Sequence, residues 1–430
     1  MRCLLVVIRI TTTFRSNNWT ETDPGLEKRW VKISNVIFGD MSKLVNIKAF
    51  KDFFSTTSSS GIILFSCLIL SLIIANSPLG DGFNRILEHP LGFENNAVHL
   101  RYSLALWIND GLMAIFFLLV GLEIKREVVE GELSSPKKAL LPIICAIGGA
   151  IVPALIYAAF NPGGPTAEGW GIPMATDIAF ALAILSLLSD KVPVSLKIFL
   201  AALAIVDDLL AILVIAIFYS SELHYMNLVY AGAILGLLFL FNRFGVKNLA
   251  FYLIPGLFIW YFIHHSGIHA TIAGVLTALT LPTTADNQES PLEKLEHSLT
   301  KPVNFLIIPI FALANTNIRF EDGMVEGLFT GLGAGIVLGL MVGKPAGIML
   351  ISWISVKLKI SQLPDGARWM HILGLGLLGG IGFTMSIFIS ILSFSDPALV
   401  QEAKFSILVG SVISGFLGYM VLRYSSRHSH

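Results

Sequence analysis

The sequence predicts an all-α integral membrane protein of twelve spans, and three observations carry that reading. Of its 430 residues, 54% are hydrophobic and only 13% charged, against about 25% charged in soluble domains. The apolar residues come in blocks near twenty long, the length that crosses a roughly 30 Å hydrocarbon core. Lys and Arg recur in alternate loops, the pattern of cytoplasmic retention. The lipid bilayer is therefore the expected partner. The net charge of +0 says nothing about nucleic acid, but no basic stripe or base-stacking pattern appears, so none is expected as a partner.

The first forty residues stand apart. MRCLLVVIRI opens apolar, but Arg9 cuts the run short and no small-residue cleavage site follows, so it makes a poor signal peptide. The extension over 1–40 is expected to be disordered or not native, with Met41 as the alternative start. Residues 41–58 begin MSKLVNIKAFKDFF, a basic amphipathic segment suited to a membrane surface. The membrane domain is expected over 59–424, with a cytoplasmic tail over 425–430.

The first six expected spans are Ser60–Asn76, Leu104–Leu122, Ala139–Phe160, Gly171–Leu188, Val194–Tyr219 and Met226–Phe241. The second six are Leu249–Ile263, Ile268–Leu281, Val303–Thr316, Leu328–Val356, Ile372–Leu392 and Phe405–Leu422. Loops after even-numbered spans hold Lys125, Arg126, Lys137 and Lys138, then Lys191, Arg243, Lys247, Lys294, Lys301, Lys357, Lys359 and Arg368. Loops after odd-numbered spans hold Arg85, Arg101 and Arg319, with Lys404 at a span edge. This asymmetry places both termini in the cytoplasm.

Two stretches resemble distant copies. GIPMATDIAF (Gly171–Phe180) and GGIGFTMSIF (Gly379–Phe388) share Gly, Thr and Phe at matching offsets. They fall in the fourth and eleventh spans, in opposite halves of the chain. Both are interrupted, by Pro173 in one and by Gly379, Gly380 and Gly382 in the other. Paired interrupted spans point to a transporter site built from broken helices.

Ionisable residues narrow the function. Asp110, Asp177, Asp207, Asp208 and Lys344 lie within spans, with Glu123 and Lys197 near span ends. Each charge at a helix centre costs on the order of 3 kcal/mol. Four acids against one base leave a deficit that protons or a bound cation must make up; an anion carrier should show the opposite excess. Asp207 and Asp208 are neighbours, so on a helix they point about 100° apart. One can line a wet cavity while the other turns to Lys344 in VGKPAG. The bland alternative is a structural ion pair plus a protonated spare carboxyl. Asp177 can offset partial charges at broken helix ends or join the ion site. Thr176 and Thr384 can supply hydroxyls to freed backbone groups or bond back to preceding carbonyls. Asp110 reads as a cavity-lining or capping residue.

Cys67 and Cys145 sit inside apolar blocks and suggest neither a disulfide framework nor a metal site. HHSGIH (His264–His269) lies at a span end with no supporting Cys or acid and reads as interfacial. LEKLEH places Glu296 and His297 in a cytoplasmic loop near GLEIKREVVEGEL, where a solvated charged face is the default and a pH-responsive cluster the alternative.

NDGLMAIFFLLVGLEIKRE, PMATDIAFALAIL, ALAIVDDLLAI, LEH, VGKPAGI and GGIGFTMSIFI together resemble the NhaA-type Na⁺/H⁺ antiporters, from about Met41 to the C-terminus. That family is itself an example of the broken-helix rule, so the architecture is inherited from the resemblance. The resemblance implies inverted repeats of the third to fifth and tenth to twelfth spans, with the fourth and eleventh discontinuous and crossed. It implies that Asp208 and Asp207 bind Na⁺ or a proton, that Lys344 pairs with Asp207, and that Asp177, assisted by Thr176, compensates helix ends. It links Glu123, Arg126, Glu127, Glu296 and His297 to pH response, and a hairpin in the first outer loop to a homodimer.

The expected activity is electrogenic exchange of cytoplasmic Na⁺, or Li⁺, for external H⁺ in a bacterial inner membrane. No cofactor is expected; Na⁺ or Li⁺ and H⁺ are the cargo. Two rivals are weaker. An intramembrane aspartyl protease needs its acids on facing helices, and a proton-coupled carrier of another cation or solute needs a substrate-sized polar pocket.

Overall fold

A bilayer core offers no water to backbone N–H and C=O groups, so each apolar block must close its own hydrogen bonds and becomes a helix. The computed structural model describes residues 57–95, 99–188, 192–220, 223–283 and 290–427. The extension over 1–40, nearly all of the amphipathic segment and the last residues of the tail lie outside the described residues.

Helix α1 (Thr57–Ala75) is bent by 110° from α2 (Gly80–Glu88). A two-residue antiparallel hairpin follows, β1 (Pro90–Leu91) against β2 (Tyr102–Ser103), pairing Pro90 with Ser103. Then come α3 (Leu104–Val129), which contains a π turn at Trp107–Leu112, and α4 (Pro136–Phe160). A 3-10 stretch, Ala167–Met174, leads through extended backbone to α5 (Ile178–Ser186). Next are α6 (Val194–Phe218), α7 (Tyr225–Arg243), α8 (Ala250–His264) and α9 (Ile272–Thr280). The chain ends with α10 (Pro291–Asn315), α11 (Gly331–Lys357), α12 (Trp369–Gly379), α13 (Phe383–Ser393) and α14 (Pro397–Arg427).

Among the described residues, eight helices are long and apolar enough to cross a membrane, or up to ten if each bent pair counts as one span. At 15 and 9 residues, α8 and α9 are shorter than the roughly 20 residues of a full crossing. Outward faces of α7 and α8 expose Phe239, Leu240, Ile254, Leu257 and Phe258, a belt suited to acyl chains.

Several boundaries differ from the sequence reading. α3 runs past Leu122 to Val129, which puts Lys125, Arg126 and Glu127 on helix rather than loop. α10 starts at Pro291 instead of Val303, so LEKLEH is helical too. Ser290 and Glu293 form a capping box there, and a polar first turn so capped looks like loop to hydropathy. α14 starts at Pro397, which carries Lys404 inside a helix and buries it to 8% exposure. The fourth-span break falls at Ala175–Asp177, where ψ opens to 152° and 98°, while Pro173 sits within the 3-10 stretch.

Two glycines show how closely the helices pack. A Cβ on Gly274 would lie 2.2 Å from the Ala114 carbonyl oxygen, so α9 rests directly on the α3 backbone. A Cβ on Gly380 would lie 2.3 Å from the Leu340 oxygen, so the break between α12 and α13 rests on α11.

Candidate cation site

The two chain breaks meet each other. The Asp177 amide donates to the Ile381 carbonyl at 2.6 Å, tying one break to the other. Asp177 Oδ1 accepts from the Phe180 amide at 3.0 Å and caps α5. Its Oδ2 accepts from the Thr384 amide at 3.1 Å and from the Thr384 hydroxyl, within the first turn of α13. One buried carboxylate thus serves two helix N-termini. The opposite ends receive donors: Lys344 Nζ reaches the carbonyl of Met174, the last residue of the 3-10 stretch. The Thr176 hydroxyl donates to the carbonyl of Gly379, the last residue of α12, at 2.7 Å. Acid faces N-termini and base faces a C-terminus, which matches the sign of the helix dipole. Both threonine hydroxyls bond across the breaks rather than back along their own helices.

Asp207 and Asp208 sit at mid-helix in α6, each 1% exposed. The neighbours do different things. Asp207 Oδ2 pairs with Lys344 Nζ, a side chain that is itself fully buried. Lys344 follows the π turn Gly339–Gly343 of α11, and Pro345 comes next. Asp208 turns away and lines a cavity of about 430 Å³ whose wall it shares with Asp177 and Thr384. Asp208 Oδ1 and Asp207 Oδ1 are buried with no hydrogen-bond partner. An isolated buried carboxylate is too costly to stay charged and alone, so Asp208 needs a proton or a cation.

The same cavity extends to Glu123, Arg126 and Glu127 at the far end of α3. There Arg126 bridges Glu127 at 3.0 Å and Glu296 of α10 at 2.9 Å. Glu296 is only 4% exposed, which overturns the solvated-face reading for this residue, although the adjacent His297 is exposed. Three polar features escaped the sequence reading. Asn304, in the π turn Val303–Ile307, lines the cavity; it lay inside an expected span, but only charges were weighed there. Lys404 was put at a helix edge by a boundary error. HHSGIH does have an acid partner: His264 Nδ1 lies 3.1 Å from Asp110 Oδ2.

Residues 51–422 match the family model of the Na⁺/H⁺ antiporter 1 proteins. The chain is 65% identical over 389 residues to Na(+)/H(+) antiporter NhaA 2 of Flavobacterium johnsoniae, covering 90% of this chain and 95% of that protein. It is 52% identical to Na(+)/H(+) antiporter NhaA of Flavobacterium psychrophilum, over 87% of this chain and 96% of the relative. With the Escherichia coli protein of that name it shares 46% over 381 residues, 88% of this chain and 98% of the other. A helical, multi-pass membrane protein with these matches along most of its length belongs to the NhaA Na⁺/H⁺ antiporter family.

Proposed function

We propose that this protein is a secondary active transporter, not an enzyme, that exchanges cytoplasmic Na⁺ or Li⁺ for external H⁺ at Asp208 and Asp207. The observation that carries the reading is the unpartnered Asp208 carboxylate on the wall of a cavity that also reaches Glu123 and Arg126. Sodium is a hard cation that favours oxygen ligands, and a desolvated carboxylate holds either it or a proton. Loading one expels the other, and alternating access turns that competition into exchange. Asp207 keeps its charge paired to Lys344 until the ion arrives. Asp177, Thr176 and Thr384 hold the broken helices in register by satisfying their ends.

The finer architecture follows from the same reading. The protein has twelve spans, with α8 and α9 as short ones, inverted repeats, and the fourth and eleventh spans discontinuous and crossed. It sits in the bacterial inner membrane with both termini cytoplasmic, which the loop charges favour. The hairpin of β1 and β2 suits a homodimer contact. The Arg126 bridge and its acids, with Glu123 and His297, suit a pH response. No resident cofactor takes part. If more protons than sodium ions move per cycle, the membrane potential drives sodium out at about 2.3 kcal/mol per net charge per 100 mV.

Purified protein in vesicles tests this directly. Na⁺ or Li⁺ added to one side should release or take up protons, and K⁺ should not. A solute-driven proton flux that ignores Na⁺ and Li⁺ would support the proton-coupled carrier instead.

A further inference from the structure

A second titratable pair joins α3 and α8 away from the cation site. His264 ends α8, and its Nδ1 lies 3.1 Å from Asp110 Oδ2, with only 14% and 15% of the two side chains exposed. One turn earlier, Trp260 donates its indole N–H to the Asp110 backbone carbonyl at 3.3 Å. α8 therefore grips the same residue of α3 twice. The rings of Trp107, Trp260 and His264 stack in sequence, with centroids 5.9 and 5.6 Å apart. Asp110 lies in the π turn Trp107–Leu112, a local widening of the helix that favours functional sites.

Other titratable groups face the pair from every side. His265 meets the His264 ring at 5.2 Å, and Tyr102 of β2 at 4.8 Å. Tyr261 stands behind His265, and His269 interacts electrostatically with both members of the pair. The Glu94–His99 pair lies beyond Tyr102, whose hydroxyl donates to the His99 carbonyl at 2.9 Å.

We propose that His264 and Asp110 are positioning residues for the exchange cycle: they latch the outer end of α3, and outer protons set the latch. Protonated, His264 makes an ion pair with Asp110 and presents a cation to the Trp260 face. Neutral, it offers one hydrogen bond, and only in the Nδ1–H tautomer. α3 carries the effect inward, because Glu123 and Arg126 at its other end line the cavity that reaches Asp208. With the latch closed, as here, that cavity extends to the inner end of α3. A ligand shifts an equilibrium toward the state it binds better, so outer protons favour the state in which Asp208 is open to the inside. The inference rests on the proposed orientation, with the Asp110 end outward.

Cysteine accessibility tests it without relying on transport. Cys3, Cys67 and Cys145 are replaced by Ser, and Ala201 on the cavity wall by Cys. Inside-out vesicles are labelled with an impermeant maleimide at fixed bath pH while lumenal pH is set near 6 or near 8. The parent should label about fivefold faster at the lower lumenal pH, within the usual range of coupling. H264Q and D110N should lose that dependence, and H264K should label fast at both values. A parent insensitive to lumenal pH, or a Gln variant as sensitive as the parent, overturns the latch. Failure of Na⁺/H⁺ exchange alone would appear only in the transport assay and would leave the labelling response intact.

Discussion

Asp177→Ala removes the one acceptor that serves two helix N-termini. Three donors lose their partner: the Phe180 amide, the Thr384 amide and the Thr384 hydroxyl. A buried donor left unsatisfied costs about 1–3 kcal/mol. Each N-terminus also loses its facing charge, worth about 0.3–1 kcal/mol and up to ~2 when buried. The hydroxyl can rotate, and water can enter along the cavity, so the net loss should fall near 3–6 kcal/mol rather than at the simple sum. Asp177→Asn retains one carbonyl oxygen for Phe180 but aims an N–H₂ at Thr384, and should lose about half as much. Thermal unfolding in detergent, read at a fixed scan rate because such unfolding is often irreversible, should rank parent above Asn above Ala. At about 2–4 °C per kcal/mol for larger chains, the Ala variant should melt at least ~5 °C lower. An Ala variant that melts with the parent would refute the argument that this carboxylate holds the two breaks together.

Lys344→Ala should also be less stable, because it strands Asp207 and the Met174 carbonyl; breaking a buried pair on one side costs roughly 3–5 kcal/mol. Neutralising both members should recover part of that loss, and a double variant no better than the single would contradict it. Glu296→Gln should shift the pH profile of exchange without abolishing it, since Arg126 then keeps only Glu127. A profile unchanged over about pH 6 to 9 would reduce the Arg126 bridge to a structural tie. Cysteine at Pro165, exposed in the loop beside buried Asn161, should label from outside, and cysteine at Lys294, exposed in the first turns of α10, from inside. The reverse pattern would invert the topology.

Much of the site was legible because charge in an apolar block is costly enough to stand out. Asp207, Asp208, Asp177 and Lys344 were visible that way, and the angular separation of helix neighbours anticipated that the two acids would face different surroundings. Helix ends were less legible. Ser290 and Glu293 convert a polar stretch into the start of α10, a gain made by local hydrogen bonds that hydropathy does not weigh. The π turns before Lys344 and around Asp110 and Asn304 leave no compositional mark. The His264–Asp110 contact joins residues far apart in the chain, and only the packing of α8 on α3 reveals it.

The central claim is that the Asp208 carboxylate is where cation and proton compete. Asp208→Asn keeps the shape and volume of the side chain and removes its ability to hold either ion. In sealed vesicles, with folding verified by unchanged detergent chromatography, the variant should show no Na⁺- or Li⁺-dependent proton movement beyond vesicles without protein. Exchange at the parental rate by Asp208→Asn would contradict the assignment and move the site elsewhere along the cavity.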